Sequence, residues 1–154
     1  MNLLAAKYLA LKHINEHLTG WVFAFNNRKR ALGVCKYRSR TIELSKFFIV
    51  NSPEDEVLQT ILHEIAHAIA GHAAGHGWKW RQVARQIGVK DPSRCASANE
   101  QHLQALQQTA NYICVCPNCG DTYHAHRMGR RMRTCTYRCN KCGQGGLRWQ
   151  ANRC

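Results

Sequence analysis

His63-Glu64-Ile65-Ala66-His67 sets two imidazoles four residues apart, with a carboxylate beside the first. On a helix, positions i and i+4 lie on one face about 5–6 Å apart, so both rings can turn a nitrogen towards one ion. Glu64 stands at the edge of that face, where a carboxylate reaches a metal-bound water without binding the metal itself. This H-E-x-x-H spacing suits metal-assisted peptide hydrolysis with the glutamate as general base. A catalytic zinc takes a third protein ligand and keeps its fourth position open. Three residues are candidates for that ligand. His76, nine residues after His67, is flanked by Gly75 and Gly77, which let the chain fold back on the helix. His72 follows His67 by five residues and on a continued helix points about 140° away. Glu100 is a more distant carboxylate. The metzincin extension needs glycine three residues after His67 and histidine six after it; Ala70 and Ala73 stand there, which excludes it. Tyr37 and His72 are candidates for an oxyanion donor. Trp78 and Trp80 can line a cleft or pack the helix that carries them.

A second constellation lies nearer the C-terminus. Cys116-Pro117-Asn118-Cys119-Gly120 and Cys139-Asn140-Lys141-Cys142-Gly143 are paired knuckles with 19 residues between Cys119 and Cys139. That spacing is the one of a four-cysteine zinc site, and a glycine after each second cysteine permits the tight turn. With all four positions filled, such a zinc holds structure and does no chemistry. A redox dithiol is the competing reading, but no thioredoxin-like βαβ pattern surrounds either knuckle. Cys114, Cys135, His124 and His126 are spare, and a shift of register brings Cys114 or Cys135 in as a ligand. Cys35, Cys95 and Cys154 read as ordinary thiols. Between and beside the knuckles stand Arg127, Arg130, Arg131, Arg133 and Arg138, with Tyr123, Tyr137 and Trp149. Arginines neutralise phosphates and aromatic rings stack on bases, a combination suited to single-stranded nucleic acid. The bland alternative is a solvated basic hairpin. Arg28, Lys29, Arg30, Lys36, Arg38 and Arg40 can extend the track.

The elements that must position these groups follow from periodicity. Leu4, Tyr8, Leu11, Ile14 and Leu18 recur at helical steps over 3–18. Segments 21–25, 31–37 and 41–45 read as three short strands, expected as an antiparallel meander. Ser52-Pro53-Glu54-Asp55 opens a helix over 53–70, with Ser52 as cap and Asp55 completing a box-like pattern. Its expected buried stripe is Val57, Leu58, Ile61, Leu62, Ile65 and Ile69. A turn rich in glycine and histidine leads to a helix over 78–87, closed by Gly88. After a break at Asp91-Pro92-Ser93, residues 98–112 read as a polar helix. Composition then changes at 111–113, so the expected domains are 1–111 and 112–154.

Length and charge bound the rest. A chain of 154 residues holds one domain of about 100–150 residues with a small appendage. Residues 1–53 carry nine basic and two acidic side chains, 54–110 five and six, and 111–154 eight and one. A near-neutral middle between basic flanks points to a polyanion partner beside a separate working centre. No apolar run approaches the roughly 18–20 residues of a membrane span. The apolar N-terminus is interrupted by Lys7 and closed by Lys12, which argues against a signal peptide. Nine cysteines, four of them in Cys-x-x-Cys pairs, favour metal over disulfides and a reducing, intracellular setting.

The segment Leu62-His63-Glu64-Ile65-Ala66-His67-Ala68, then Gly75-His76-Gly77 and Trp80, resembles the SprT-like metalloprotease family, which includes the Spartan DNA–protein crosslink proteases. The similarity extends to the N-terminal helix, the Thr41–Ser45 strand and the zinc ribbon. The resemblance implies His63, His67 and His76 as ligands of a catalytic zinc and Glu64 as the base. Cys116, Cys119, Cys139 and Cys142 would hold a structural zinc, for two zinc ions in all. It further implies cleavage of DNA-bound proteins with DNA as activator.

The combined expectation is an α+β protein: a small zincin-like metalloprotease domain with a C-terminal four-cysteine ribbon. Its function would be that of a zinc-dependent endopeptidase. Expected partners are DNA, preferably single-stranded, and DNA-bound protein substrates, with no membrane partner and a monomeric chain. Arg127, Arg130, Arg131, Arg133, Arg138, Tyr137 and Trp149 are the expected nucleic-acid contacts. The expected location is the cytoplasm and nucleoid, or the nucleus of a eukaryote. The alternative is a non-catalytic zinc-ribbon nucleic-acid-binding protein with a vestigial first metal site. A zinc hydrolase of small amides is a third reading, which gives no reason for a net charge of +13.

Overall fold

A computed structural model describes residues 1–92 and 99–152 of the chain. Ser93, Cys95, Ala98 and Cys154, named above in a break, as thiols and as a helix start, lie outside the described residues. The chain divides into two compact units, Met1–His102 and Leu103–Cys154. The compositional change at 111–113 comes later, where the first ribbon strand begins.

The first unit opens with α1 (Leu3–His17), capped by Asn2, whose side chain accepts the Ala5 N–H at 2.8 Å. The buried face is not the one its large residues mark. Leu4 and Tyr8 are 79% and 75% exposed, whereas Ala6, Ala10 and Ile14 are fully buried. Small side chains let the helix axis approach its neighbours, which a face of leucines would hold off.

Strands β1 (Val22–Asn26), β2 (Gly33–Lys36) and β3 (Thr41–Ser45) form a sheet in the order β1-β3-β2. The expected antiparallel meander does not form. β2 and β3 pair antiparallel, but β1 pairs parallel with β3, from Val22 opposite Thr41 to Asn26 opposite Ser45. All five residues of β3 are buried, so the backbone groups on both its edges need partners. The tight turn at Tyr37–Arg40 brings β2 to one edge, which leaves β1 the other.

After the short α2 (Lys46–Val50) comes α3 (Glu54–Ala70), the helix that carries the H-E-x-x-H sequence. Ser52 does not cap it. Pro53 holds the N-cap position without a side-chain bond, and the buried Ser52 Oγ has no partner among the described residues. The Ser52 carbonyl instead accepts from the chain's N-terminal amine at 3.2 Å. Glu54, Asp55 and Glu56 in the first turn complement the helix dipole. Val57, Ile61 and Ile65 face a cluster shared with α1, the sheet and α2. Leu62, Ala66 and Ala70 face a second cluster under α4 (Trp78–Gln86). Ala66 and Ala70 take the place expected of Ile69, which is 40% exposed. The helix is thus covered on two sides.

Helix α5 (Glu100–Gln108) is shorter than the expected 98–112. Asn99 Oδ1 accepts the His102 N–H, and the buried His102 ring lies 3.0 Å from the Lys29 carbonyl and edge-on to Phe47 and Phe48.

The second unit contains β4 (Tyr112–Val115), β5 (Thr122–Ala125), α6 (Arg130–Thr134) and β6 (Gln150–Ala151), with an antiparallel sheet in the order β5-β4-β6. Its knuckles share one geometry: the Gly120 N–H reaches Cys116 O, and the Gly143 N–H reaches Cys139 O, each at 2.9 Å. Both glycines have φ above +65°, a conformation other residues resist. The chain is α+β, and no described helix is long and apolar enough to cross a membrane.

Candidate active site and metal centres

His63 and His67 leave α3 one turn apart, and the loop that follows the 3-10 turn His72–Ala74 returns His76 to them. Their Nε2 atoms form a triangle of 3.2, 3.0 and 3.1 Å. Hydrogen bonds cannot account for it. A neutral imidazole presents each nitrogen as donor or acceptor, so among three mutual neighbours at least one pair is mismatched. A shared cation resolves the conflict. Three nitrogens at about 2.0–2.1 Å from a tetrahedral zinc stand roughly 3.3 Å apart, close to the triangle observed. Burial, then the neighbouring imidazoles, pushes His63 down to about 3, and burial with His76 pushes His67 down to about 4. Both are therefore neutral and ready to ligate near pH 7.

Trp80 forms the floor of this triangle. It is fully buried, with its ring 4.7, 5.2 and 4.7 Å from those of His63, His67 and His76. It both packs α4 and supports the imidazoles, whereas Trp78 is 71% exposed. The other two candidate ligands stand apart. His72 packs edge-on against Tyr37 at 5.3 Å, and Glu100 is exposed on α5. The Tyr37 hydroxyl donates to the His67 carbonyl at 3.0 Å, so its proton is engaged there.

Glu64 is 7% exposed, and burial pushes its carboxyl up to about 7, opposed by the Cys35 backbone N–H that it accepts. Strand β2 presses on it closely. A Cβ added at Gly33 would lie 2.8 Å from Glu64 Cγ and 2.9 Å from Oε1. Neither contact was anticipated from the sequence; the available signal was a glycine in a strand, which marks close approach of another group. The Cys35 thiol is pushed up to about 12 by burial and by Glu64, so it stays protonated and inert.

In the second unit the Sγ atoms of Cys116 and Cys142, and of Cys119 and Cys139, lie 3.6 Å apart, and all four fall within 4.8 Å of one another. Sulfurs at about 2.3 Å from a tetrahedral zinc stand roughly 3.8 Å apart, so the quartet fits that ion. Tyr123 accepts the Asn140 N–H at 2.9 Å and donates to Cys139 Sγ at 3.2 Å. That hydroxyl, with the Cys142 N–H, pushes Cys139 down to about 6. Tyr123 was read from the sequence only as part of a nucleic-acid track. Cys114 is buried on β4 outside the quartet, and Cys135 is exposed.

Arg127, Arg130, Arg131, Arg133 and Arg138 are all exposed, three of them on α6. Tyr137 and Trp149 pack half-buried against the cysteine cluster. In the first unit, Lys36 pairs with Glu43 and Lys29 lies over the Phe47 ring, so these two cations are engaged within the fold.

The model of the SprT-like family matches residues 4–109. That span includes His63, Glu64, His67, His76 and Trp80 and ends before the cysteine quartet. No curated protein and no solved structure matches the chain significantly.

Proposed function

The chain belongs to the SprT-like family, whose zinc-dependent, protease-like domain its first unit carries, and from that premise we propose that it is a zinc-dependent endopeptidase cleaving DNA-bound proteins under activation by DNA, single strands preferred. The observation that carries this reading is the buried Glu64 carboxyl beside three converging imidazole nitrogens. His63, His67 and His76 hold the catalytic zinc; Cys116, Cys119, Cys139 and Cys142 hold a second, structural one. When bound, the catalytic zinc supplies a Lewis acid for the scissile carbonyl and lowers the pKa of a water towards about 7.

Glu64 takes the proton of the attacking water and later delivers it to the leaving amine. A carboxyl pushed up to about 7 can do both near neutrality. The Cys35 N–H and the bare backbone at Gly33 fix where it stands. Trp80 keeps the imidazoles in register. The exposed arginines of the second unit bind phosphates, and the net charge of +13 favours that partner. This activity places the protein inside the cell, with the nucleic acid.

The test is cleavage of a basic DNA-binding protein, with and without single-stranded DNA, beside Glu64→Gln. DNA-stimulated cutting that the variant loses, with zinc retained, is the expected result. Cutting by the variant would refute Glu64 as base. No cutting under either condition, with two zincs bound, would favour a nucleic-acid-binding module.

A further inference from the structure

The exposed face of α4 is not accounted for by the metal site or by the ribbon. Trp80 and Ala84 point inwards, while Trp78, Lys79, Arg81 and Arg85 are exposed. Among the described residues no side chain pairs with Lys79, Arg81 or Arg85. Helix α4 contains no acidic residue, and its start at Gly77 has no side-chain cap. A cavity of about 540 Å³ opens there, lined by Gly71, His72, Ala74, Gly77, Trp78 and Lys79 among others. Its size falls within the roughly 300–1,000 Å³ of small-ligand sites.

Tyr37, whose turn continues through Arg38 and Arg40, packs edge-on against His72 at the cavity. The acidic first turn of α3 lies at the opposite end of a 17-residue helix, about 25 Å away. Gln59 near that end reaches the Gly88 carbonyl, so α4 runs back along α3 with its start at the metal end. An exposed indole beside exposed cations and a concavity suits a ligand that offers both phosphates and stackable rings.

We propose that the start of α4 is a second contact for single-stranded nucleic acid, within the protease unit itself. Trp78 stacks on a base over the cavity, and Lys79 and Arg81 meet the flanking phosphates. This rests on the reading of the protein as DNA-directed and extends it. The strand is held one residue pair from Trp80, the floor of the histidine triangle, so activator and metal site share one helix.

The experiment is fluorescence anisotropy of a labelled oligothymidylate with the zinc-loaded full chain carrying Glu64→Gln, across a salt series. Added Trp78→Ala should weaken binding between about five- and 150-fold, the range of one lost base stack, while Trp78→Phe stays within about threefold of the parent. Lys79→Ala with Arg81→Ala should lower the slope of log Kd against log salt by about 1.4. Inorganic polyphosphate, which has no rings, should feel the lysine–arginine change and not Trp78→Ala. Variants that keep zinc and bind oligothymidylate like the parent overturn the proposal. So does Trp78→Ala with parental DNA affinity and, in a second chain that keeps Glu64, a raised KM for peptide, which would make the cavity a peptide subsite. A parent chain that binds no DNA overturns the DNA-directed reading as well.

Discussion

The histidine cluster of the first unit and the cysteine cluster of the second both bring ligand atoms near the spacing of a tetrahedral zinc, 3.0–3.2 Å between nitrogens and 3.6 Å between sulfurs. They reach it by different means. The cysteines come from two copies of one local turn, each closed by a pair of backbone bonds. The histidines depend on long-range packing: α3 supplies two, a loop returns the third, α4 lays Trp80 beneath and β2 presses on Glu64. The cysteine set has four donors and no carboxylate beside it. The histidine set has three donors and a buried carboxyl, an arrangement that costs stability and serves chemistry.

Removing metal tests that contrast most strongly. The ribbon's core is Cys114, Cys116, Cys139 and Leu147, whereas the first unit buries isoleucines, leucines and Phe48 from four elements and the loop at Leu32. Structural zinc supplies about 10–16 kcal/mol to small domains. Chelation, or Cys139→Ser, should therefore abolish amide-exchange protection across 112–152 and leave it in α1, β3 and α3. Equal loss in both units would mean that the first also folds on its metal.

Next in size is Trp80→Ala. Removing a fully buried tryptophan costs about 3–5 kcal/mol. The expected result is a lower melting temperature for the first unit and weaker zinc at the histidines, with the ribbon's zinc unchanged. Undiminished affinity at the histidine site would show that the floor only packs α4. Gly33→Ala is smaller, about 1–3 kcal/mol for overpacking. Its methyl group meets Glu64 rather than a ligand, so kcat should fall at least tenfold while KM and zinc content hold. A variant with parental kcat would show that the carboxylate tolerates displacement.

These residues also mark where the sequence stops being legible. The H-E-x-x-H helix, the β3 strand and the knuckles are local patterns, and their spacing already implies their geometry. His76 was one of three candidates from spacing, and the resemblance selected it; the fold alone shows why it reaches the others. The parallel pairing of β1 with β3 is a choice between edges made far along the chain, and no short-range signal carries it. Periodicity marks α1 as a helix but not which face is buried: Ile14 is, Leu4 and Tyr8 are not, because close helix packing rewards Ala6 and Ala10. Ser52 had the right type for a cap, but the helix starts one residue later than the pattern implies, and Pro53 holds the N-cap position. Gly33 and Trp80 act through neighbours distant in sequence, so only their residue types hinted at a role.

The smallest expected effect separates the carboxyl from the imidazoles within one site. In metal-free protein His63 and His67 titrate in the folded state near 3 and 4, below their ordinary 6.5. A depressed histidine contributes stability above pH 6.5 that is withdrawn as pH falls towards its folded value. Glu64 has the opposite sign: raised from 4.5 to about 7, it contributes most below pH 4.5 and loses that contribution as pH rises through 7. Between about pH 4.5 and 6.5 unfolding therefore releases close to one proton from Glu64 and takes up close to two at the histidines. Among these three groups the opposing terms leave a net uptake of about one, to which His13 and His102, both lowered by burial, add. Glu64→Gln removes the compensating term, so the pH dependence of the urea midpoint of the chelated first unit should steepen by about one proton across that window. Zinc should flatten both curves, because ligated imidazoles cannot protonate until the metal leaves. Identical slopes in parent and variant would mean that Glu64 is already ionised in the metal-free fold, and that its burial is relieved by water.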